Sequence, residues 1–495
     1  MNKLIAIFSG IQPKKPTLYS RISPLGSPSI NLVPVLDKWV EEGNKVHVAD
    51  LQIILKDLRK HRRFLSPLSI CFTLQISEWM NTTQICTFSS SNHAVQLDLI
   101  GRVRGLESAE SYFNSLSDKD KSEKTYGALL NCYVKERLTD KSLSHMQKMK
   151  EMGMVSTSLG YSDLMGLYIN TGEYEKVPGL LNEMKENGVS PDNFSYRMCI
   201  YSYGKRSCID EMEKVLEEME NQSHISMDWN THTTMAHIYI KAGLTDKAFA
   251  TSKKSEEKLT KKDGVGYNYL ISLFASLGNK TEVARLWGLK KTACKKIMNM
   301  DYIAMLGSLV KLQELDDAEK LLKEWESSGN HYDFRVPNVL LIAYTKRGCT
   351  EKAEAMLEDL INNGKVPNPN SWGIMAAGYV EKDEMEKALG CMRKAFSVNK
   401  SDGGWKPNST VISSLLHWLG DTCEVKDVED FVRSLKDLIP INKDVYYALI
   451  KANVREGKDV DGILESMKAN KIDLDEENGK VLSLKEEGAE YIAAT

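Results

Sequence analysis

No stretch of this 495-residue chain approaches the roughly 18 apolar residues that a membrane-spanning helix needs, so an anchor of that kind is excluded. The nine cysteines form no Cys-x-x-Cys pair, and no two histidines stand at ligand spacing. That argues against a zinc site and against a disulfide framework. Cys132, Cys199 and Cys349 read as small helix or turn residues in a reducing compartment. Charge of one sign is also missing: the formal net charge is −3, which gives no bulk attraction to nucleic acid but leaves room for local basic patches. A Gly-x-x-x-x-Gly-Lys-Ser/Thr phosphate loop is absent, as is the His-x-Glu and Pro-Cys-x-x-Cys pairing of zinc deaminases. Gly264-Val265-Gly266 follows no strand pattern and reads as a turn. The acidic pairs Glu217-Glu218 and Glu256-Glu257 have lysines nearby and read as solvated helix faces. Neither catalysis nor a cofactor is expected.

What the chain has is repetition. Tyr126, Tyr161, Tyr196, His232, Tyr267, Tyr302, Pro337, Trp372, Ile412 and Tyr446 recur at a period of about 35 residues. One longer step, of about 40, falls between Trp372 and Ile412, where Ser397 to Trp405 brings in Ser-Asp-Gly-Gly. In the unit from Tyr161 to Asp192, Gly172 turns one helix into a second, and Gly188 to Asp192 closes it. Small residues at Ala248, Ala284, Ala318, Ala353 and Ala388 and large ones at Met149, Met184, Met219, Trp325 and Met467 mark the second helices as packing positions. A hairpin this short cannot bury both its sides, so it must stack on its neighbours.

The division expected along the chain has four parts. Residues 1–36 hold Lys3, Lys14, Lys15 and Arg21 and no acid, the composition of an organelle presequence or, in the plainer reading, a disordered tail. Residues 37–92 form an N-terminal helical region. Within it Leu51 to Phe64 is a basic helix that suits either phosphate contact or a solvated face. Leu65 to Thr73, with Pro67, reads as a link between that helix and the next, making an atypical hairpin. Residues 93–475 form the array of about 10–11 repeats, the first degenerate, and 476–495 an acidic cap or tail.

The period, the Tyr-Asn start at Tyr267, Ala-Gly-x-x-x-x-Ala at Ala242 to Ala248, and Met-Lys-Glu-x-Gly-Val-x-Pro-Asp at Met184 to Asp192 resemble the pentatricopeptide repeat family. Strings such as Lys365 to Trp372 look like its P-type subgroup, found in plant mitochondria. The resemblance implies an all-α fold, a right-handed α-solenoid superhelix of stacked helix–turn–helix repeats. It also implies a monomeric protein of the mitochondrial matrix, or of plastids, that binds single-stranded organellar RNA. In similar proteins the link at Leu65 to Thr73 is shorter, so this segment reads as a loop or as a gene-model artefact.

By the same resemblance, one base-reading residue follows the Tyr position and a second closes the repeat. Ser162 with Asp192, and Thr233 with Asp263, then look like guanine readers. Asn338 with Asn368 looks like a pyrimidine reader, and Ser413 with Asn442 an adenine reader. Gly127 with Thr157, Arg197 with Asp228, Asn268 with Met298, Ile303 with Asp333 and Gly373 with Asn408 depart from the pattern. Leu159, Phe194 and Val265, three residues before a first reader, are placed to pack on base planes. The implied read, 5′ to 3′, is G-n-G-n-n-Y-n-A. For these polar residues the plain alternative is helix capping. Two functions follow: a factor that stabilises, processes, splices or promotes translation of a transcript by passive occupancy, or a structural subunit of the mitochondrial ribosome that contacts rRNA and proteins.

Overall fold

The computed structural model describes residues 18–22, 30–44, 67–83, 87–260, 263–398, 405–436, 438–470 and 472. Among them the regular structure is helical throughout, as the periodicity predicts. The chain divides into two compact units, Met1–Leu244 and Thr245–Thr495. The basic stretch Leu51 to Phe64 and the tail 476–495 lie outside the described residues.

The first unit opens with α1 (Leu18–Ile22), α2 (Val33–Glu41) and α3 (Pro67–Thr82). Leu18, Ile22, Leu32, Leu36 and Trp39 pack there against Phe72, Ile76, Trp79 and Met80. The Trp79 indole donates to Asp37 at 2.8 Å, and Arg21 pairs with Glu42 at 2.6 Å. Leu18 and Ile22 belong to this core. One sequence expectation changes here. Residues 67–73 are no loop but the opening turns of α3. Pro67 takes the first helical position, where its missing N–H leaves no bond unmade, and Phe72 is buried.

The hairpins follow. The first unit carries α4 (Ser90–Arg104), α5 (Leu106–Ser115), α6 (Glu123–Lys135), α7 (Thr139–Glu151), α8 (Leu159–Thr171), α9 (Val177–Glu186), α10 (Asn193–Lys205), α11 (Ile209–Glu220) and α12 (Trp229–Lys241). The second carries α13 (Thr245–Glu257), α14 (Gly264–Ser276), α15 (Lys280–Ala293), α16 (Asn299–Lys311), α17 (Leu315–Ser327), α18 (Arg335–Thr345) and α19 (Thr350–Asn362). It ends with α20 (Pro369–Glu381), α21 (Met385–Val398), α22 (Ser409–Thr422), α23 (Val425–Leu435), α24 (Lys443–Arg455) and α25 (Asp461–Ala469). From α4 onward even numbers are first helices of a repeat and odd numbers second helices. Within each unit a first helix packs on its own second helix and on the next first helix.

The residues of the Tyr register fill these seams: Tyr126, Tyr161, Tyr196, His232, Tyr267, Tyr302, Ile412 and Tyr446 are buried, and Trp372 is half-buried. Met149, Met184, Met219, Trp325 and Met467 are buried, as are Ala248, Ala318, Ala353 and Ala388. Ala284 is exposed instead, and Val283 beside it takes the buried place. The turn between first and second helix also repeats. Gly172, Gly278 and Gly348 have left-handed φ of 84°, 72° and 71°, and Arg137, Ser207, Gln313 and Asp383 hold the same register at 56°, 59°, 66° and 60°. The register imposes the conformation even where a Cβ opposes it.

A charged clip joins neighbouring repeats. Lys185 pairs with Glu218 at 2.5 Å, and Glu218 accepts the Tyr196 hydroxyl at 2.6 Å. Lys291, Glu324 and Tyr302 repeat this arrangement, at 2.8 and 3.2 Å, and so do Lys150, Glu183 and Tyr161. Burial, and then Glu324, raise the Tyr302 phenol to about 12. Being half exposed, each such ion pair contributes about 0.2–1 kcal/mol, so apolar stacking dominates.

Candidate nucleic-acid interface

The closing residue of a repeat turns out to be the N-cap of the next first helix. Asp192 Oδ1 accepts from the Ser195 N–H and hydroxyl, both at 2.8 Å, at the start of α10. Asp228, Asn368, Asn408 and Asn442 cap α12, α20, α22 and α24 in the same way. Capping and base reading are not exclusive, because an ionised carboxylate has about four acceptor sites. At Asp192 the Ser158 hydroxyl takes a third, on Oδ2 at 2.7 Å, and the Phe194 N–H also bonds to the carboxylate. Burial opposes charge on Asp192, but the bonds from Ser158, Ser195 and Phe194 outweigh it and hold the carboxyl below its ordinary range. Ser162, its pair, is a buried residue of α8.

In the second unit the structure brings two pairs together through a third side chain. The Ser371 hydroxyl lies 2.8 Å from Asn338 Oδ1 and 3.0 Å from Asn368 Oδ1. The Ser371 N–H already holds the Asn368 oxygen at 2.9 Å, so the hydroxyl proton goes to Asn338. Both amide nitrogens are then left as donors, which suits the acceptor-rich edge of a pyrimidine. Ser413 and Asn442 meet on Asp444 Oδ2, at 2.9 and 3.3 Å. Neither Ser371 nor Asp444 was marked in the sequence; each stands three or two residues after a cap, a position no base-reading argument singles out.

The remaining predicted residues are placed less simply. Thr233, in the first unit, donates to the Asn230 carbonyl at 2.8 Å and keeps only acceptor capacity. Asp263, in the second unit, does not cap α14; it accepts from the Thr260 N–H and hydroxyl at 3.0 and 2.7 Å. Asn268 is held inside the protein. Its amide donates to Asp301 at 2.9 Å, and its oxygen accepts from the fully buried ammonium of Lys290. Lys290 also donates to the Gly264 carbonyl and to Asp301, both at 2.6 Å. Arg197 lies 3.7 Å from the Asp228 carboxylate and 5.2 Å over the Phe194 ring.

Alongside these polar groups stand apolar side chains facing solvent. Three residues before a first reader, Leu159 is 63% and Phe194 45% exposed in the first unit, and Val265 is 50% and Met300 55% exposed in the second. Exposed apolar residues scattered singly need no explanation, but four at one register of the repeat form a pattern. The repeat of Ser162 and Asp192 offers both an apolar platform, Leu159, and a short polar pair; the others offer one or the other. Among the described residues no cluster of His, Cys, Asp or Glu could hold a metal ion.

The PPR repeat pattern matches residues 124–154, 194–224, 301–330 and 336–364, and the PPR repeat family pattern matches 157–205. A mitochondrial pentatricopeptide repeat-containing protein of Arabidopsis thaliana is 50% identical over 471 residues, covering 95% of this chain and 94% of its own. The large ribosomal subunit protein mL101 of Arabidopsis thaliana is 33% identical over 467 residues, covering 94% of each chain. The crystal structure of the pentatricopeptide repeat protein PPR10 from maize is 19% identical with a TM-score of 0.38, covering 91% of this chain. The match spans 65% of the maize protein's length.

Proposed function

This chain belongs to the pentatricopeptide repeat family, and from that premise we propose that it binds single-stranded RNA through its reader pairs. It is read here as a P-type member working in plant mitochondria. The observation that carries the reading is the exposed apolar register at Leu159, Phe194, Val265 and Met300, which at Leu159 stands with the Ser162–Asp192 pair. Bases of single-stranded RNA splay out, stack on side chains and present their edges to two or three polar groups per repeat. Occupancy alone then suffices for function: bound RNA is held unpaired and shielded from nucleases. Four informative pairs, each discriminating by about 1–3 kcal/mol, give modest sequence selectivity.

The test is binding of the full chain to U4-GUGUUCUA-U4 RNA by fluorescence anisotropy, against the same oligomer with the informative bases exchanged. Preference for the first oligomer, lost when Ser162, Asp192, Thr233 and Asp263 are changed together, supports the reading. Equal binding to both refutes recognition by the pairs, and binding to neither of them nor to any member of a random RNA pool refutes RNA binding itself. A second reading, a scaffold subunit of the mitochondrial ribosome, draws on the near full-length likeness to mL101. It predicts co-sedimentation with ribosomal particles and crosslinks mainly to rRNA, insensitive to those four changes.

A further inference from the structure

The repeat of Gly373 and Asn408 has no first reader side chain, yet the place is not filled by its neighbours. The first helices α18 and α20, with the segment Trp405–Ser409, border an open pocket of about 530 Å3 there. Gly373 and Asn408 line it, as does Asn370, three residues before the glycine. A Cβ built on Gly373 would meet only Trp405 Cζ2, at 3.8 Å. The missing side chain thus opens the cavity toward an indole. Trp405 comes from the longer step between repeats and is held by Phe396 of α21, ring centroids 6.2 Å apart.

The polar lining is equally specific. Asn408 Oδ1 caps the Thr410 N–H at 2.9 Å. Lys346 and Lys406 also line the cavity, and neither enters an ion pair among the described residues. Glu381 is the one acidic residue on the wall, so the local balance is positive. The volume falls within the roughly 300–1,000 Å3 of small-ligand sites. An aromatic ring, two amides and two free cations match a base plane, a base edge and a phosphate.

We propose that this cavity takes a purine base of the bound RNA, stacked on Trp405, with Lys346 and Lys406 toward its phosphate. The inference rests on the RNA-binding reading above and deepens it. The strand that passes the Asn338–Asn368 pair and then the Ser413–Asn442 pair must present one base between them. A missing reader there means recognition by stacking and by room, and both favour the larger base. The seventh position of the read, otherwise without a reader, is therefore a purine.

The test uses the full chain and U4-GUGUUCXA-U4 RNA, where X is adenine, uracil or 2-aminopurine. Wild-type protein should bind the adenine probe about tenfold more tightly than the uracil probe. The emission of 2-aminopurine should fall on binding. Trp405→Ala should remove both effects. Gly373→Leu, which fills the cavity and leaves the Trp405–Phe396 contact in place, should do the same with unchanged melting. RNA binding in which adenine and uracil are equal, or in which both variants keep the quenching, overturns the proposal and leaves the RNA reading standing. Failure to bind these probes and every member of a random 16-nucleotide RNA pool overturns the RNA reading, and this one with it.

Discussion

Asp192 separates the structural role of a closing residue from its recognition role. Its Oδ1 caps α10 through the Ser195 N–H and its Oδ2 accepts from Ser158. Asp192→Ala deletes the cap, at a cost of about 1 kcal/mol, and leaves Ser158 without its partner, at about 1 kcal/mol more. Asp192→Asn keeps Oδ1 as the cap, since Asn and Asp cap equally well, and its Nδ2 can donate to the Ser158 oxygen. Its effect on stability should stay within about 0.5 kcal/mol. Recognition should change more. A carboxylate, which only accepts, suits guanine, whose N1–H and N2–H groups donate. An amide, both donor and acceptor, suits adenine. Asp192→Asn should therefore turn a guanine preference at that position into an adenine preference, with a swing of about 1–3 kcal/mol. The assay is anisotropy with two oligomers differing only at that base, beside urea melts of the wild type and both variants. Equal loss of affinity for both oligomers, in proportion to lost stability, would refute the argument and reduce Asp192 to a cap.

Asp163, next to Ser162 on α8, is pushed up to about 7 by burial, and Asp98 nearby adds to it against Lys135. The folded state then holds a proton that the unfolded chain releases near pH 4, so this group's contribution falls as pH rises from about 4 to 7. Asp163→Asn should raise stability by on the order of 1–2 kcal/mol at pH 8 and leave it unchanged at pH 4; equal melting shifts at both would count against it. Lys290→Met leaves Asp301 buried without its cation and should cost about 3 kcal/mol in denaturant melts, much of it recovered by adding Asp301→Asn. Strictly additive losses in that cycle would mean the pair does not interact. At Ser207 and Gln313, where φ is 59° and 66°, S207G and Q313G should each stabilise by about 0.5–1 kcal/mol, and unchanged or lower melting temperatures would show the turn carries no strain.

The repeat was legible because its signal is apolar and periodic: the Tyr register must be buried for hairpins to stack, and a period survives substitution by His232 or Ile412. The caps were legible as alternatives, since Asp and Asn before a helix have few other uses. Three things were not. Pro67 reads as a break in any helix that precedes it, yet it is equally the natural start of one that follows, and composition does not distinguish them. Ala284 was assigned by residue type, but the period points to position 283, and packing follows position. Lys290 looks like any surface lysine; only its three acceptors, two in α14 and one in α16, show that it is buried.

These differences bear on how a poor match to the reader pattern should be understood. Asn268 is the residue type a reader needs, yet Lys290 and Asp301 hold it inside the protein. Gly373 is a type that reads nothing, yet it opens a cavity beside Trp405. The availability of a base-reading position is thus decided by its neighbours: by what saturates the side chain, and by what space is left when there is none. Asn338 and Asn368 lie between these extremes, since Ser371 fixes both oxygens and turns two ambiguous amides into donors. Selectivity in this array should then respond to substitutions at Ser158, Ser371 and Asp444, which touch readers, nearly as strongly as to changes in the readers themselves.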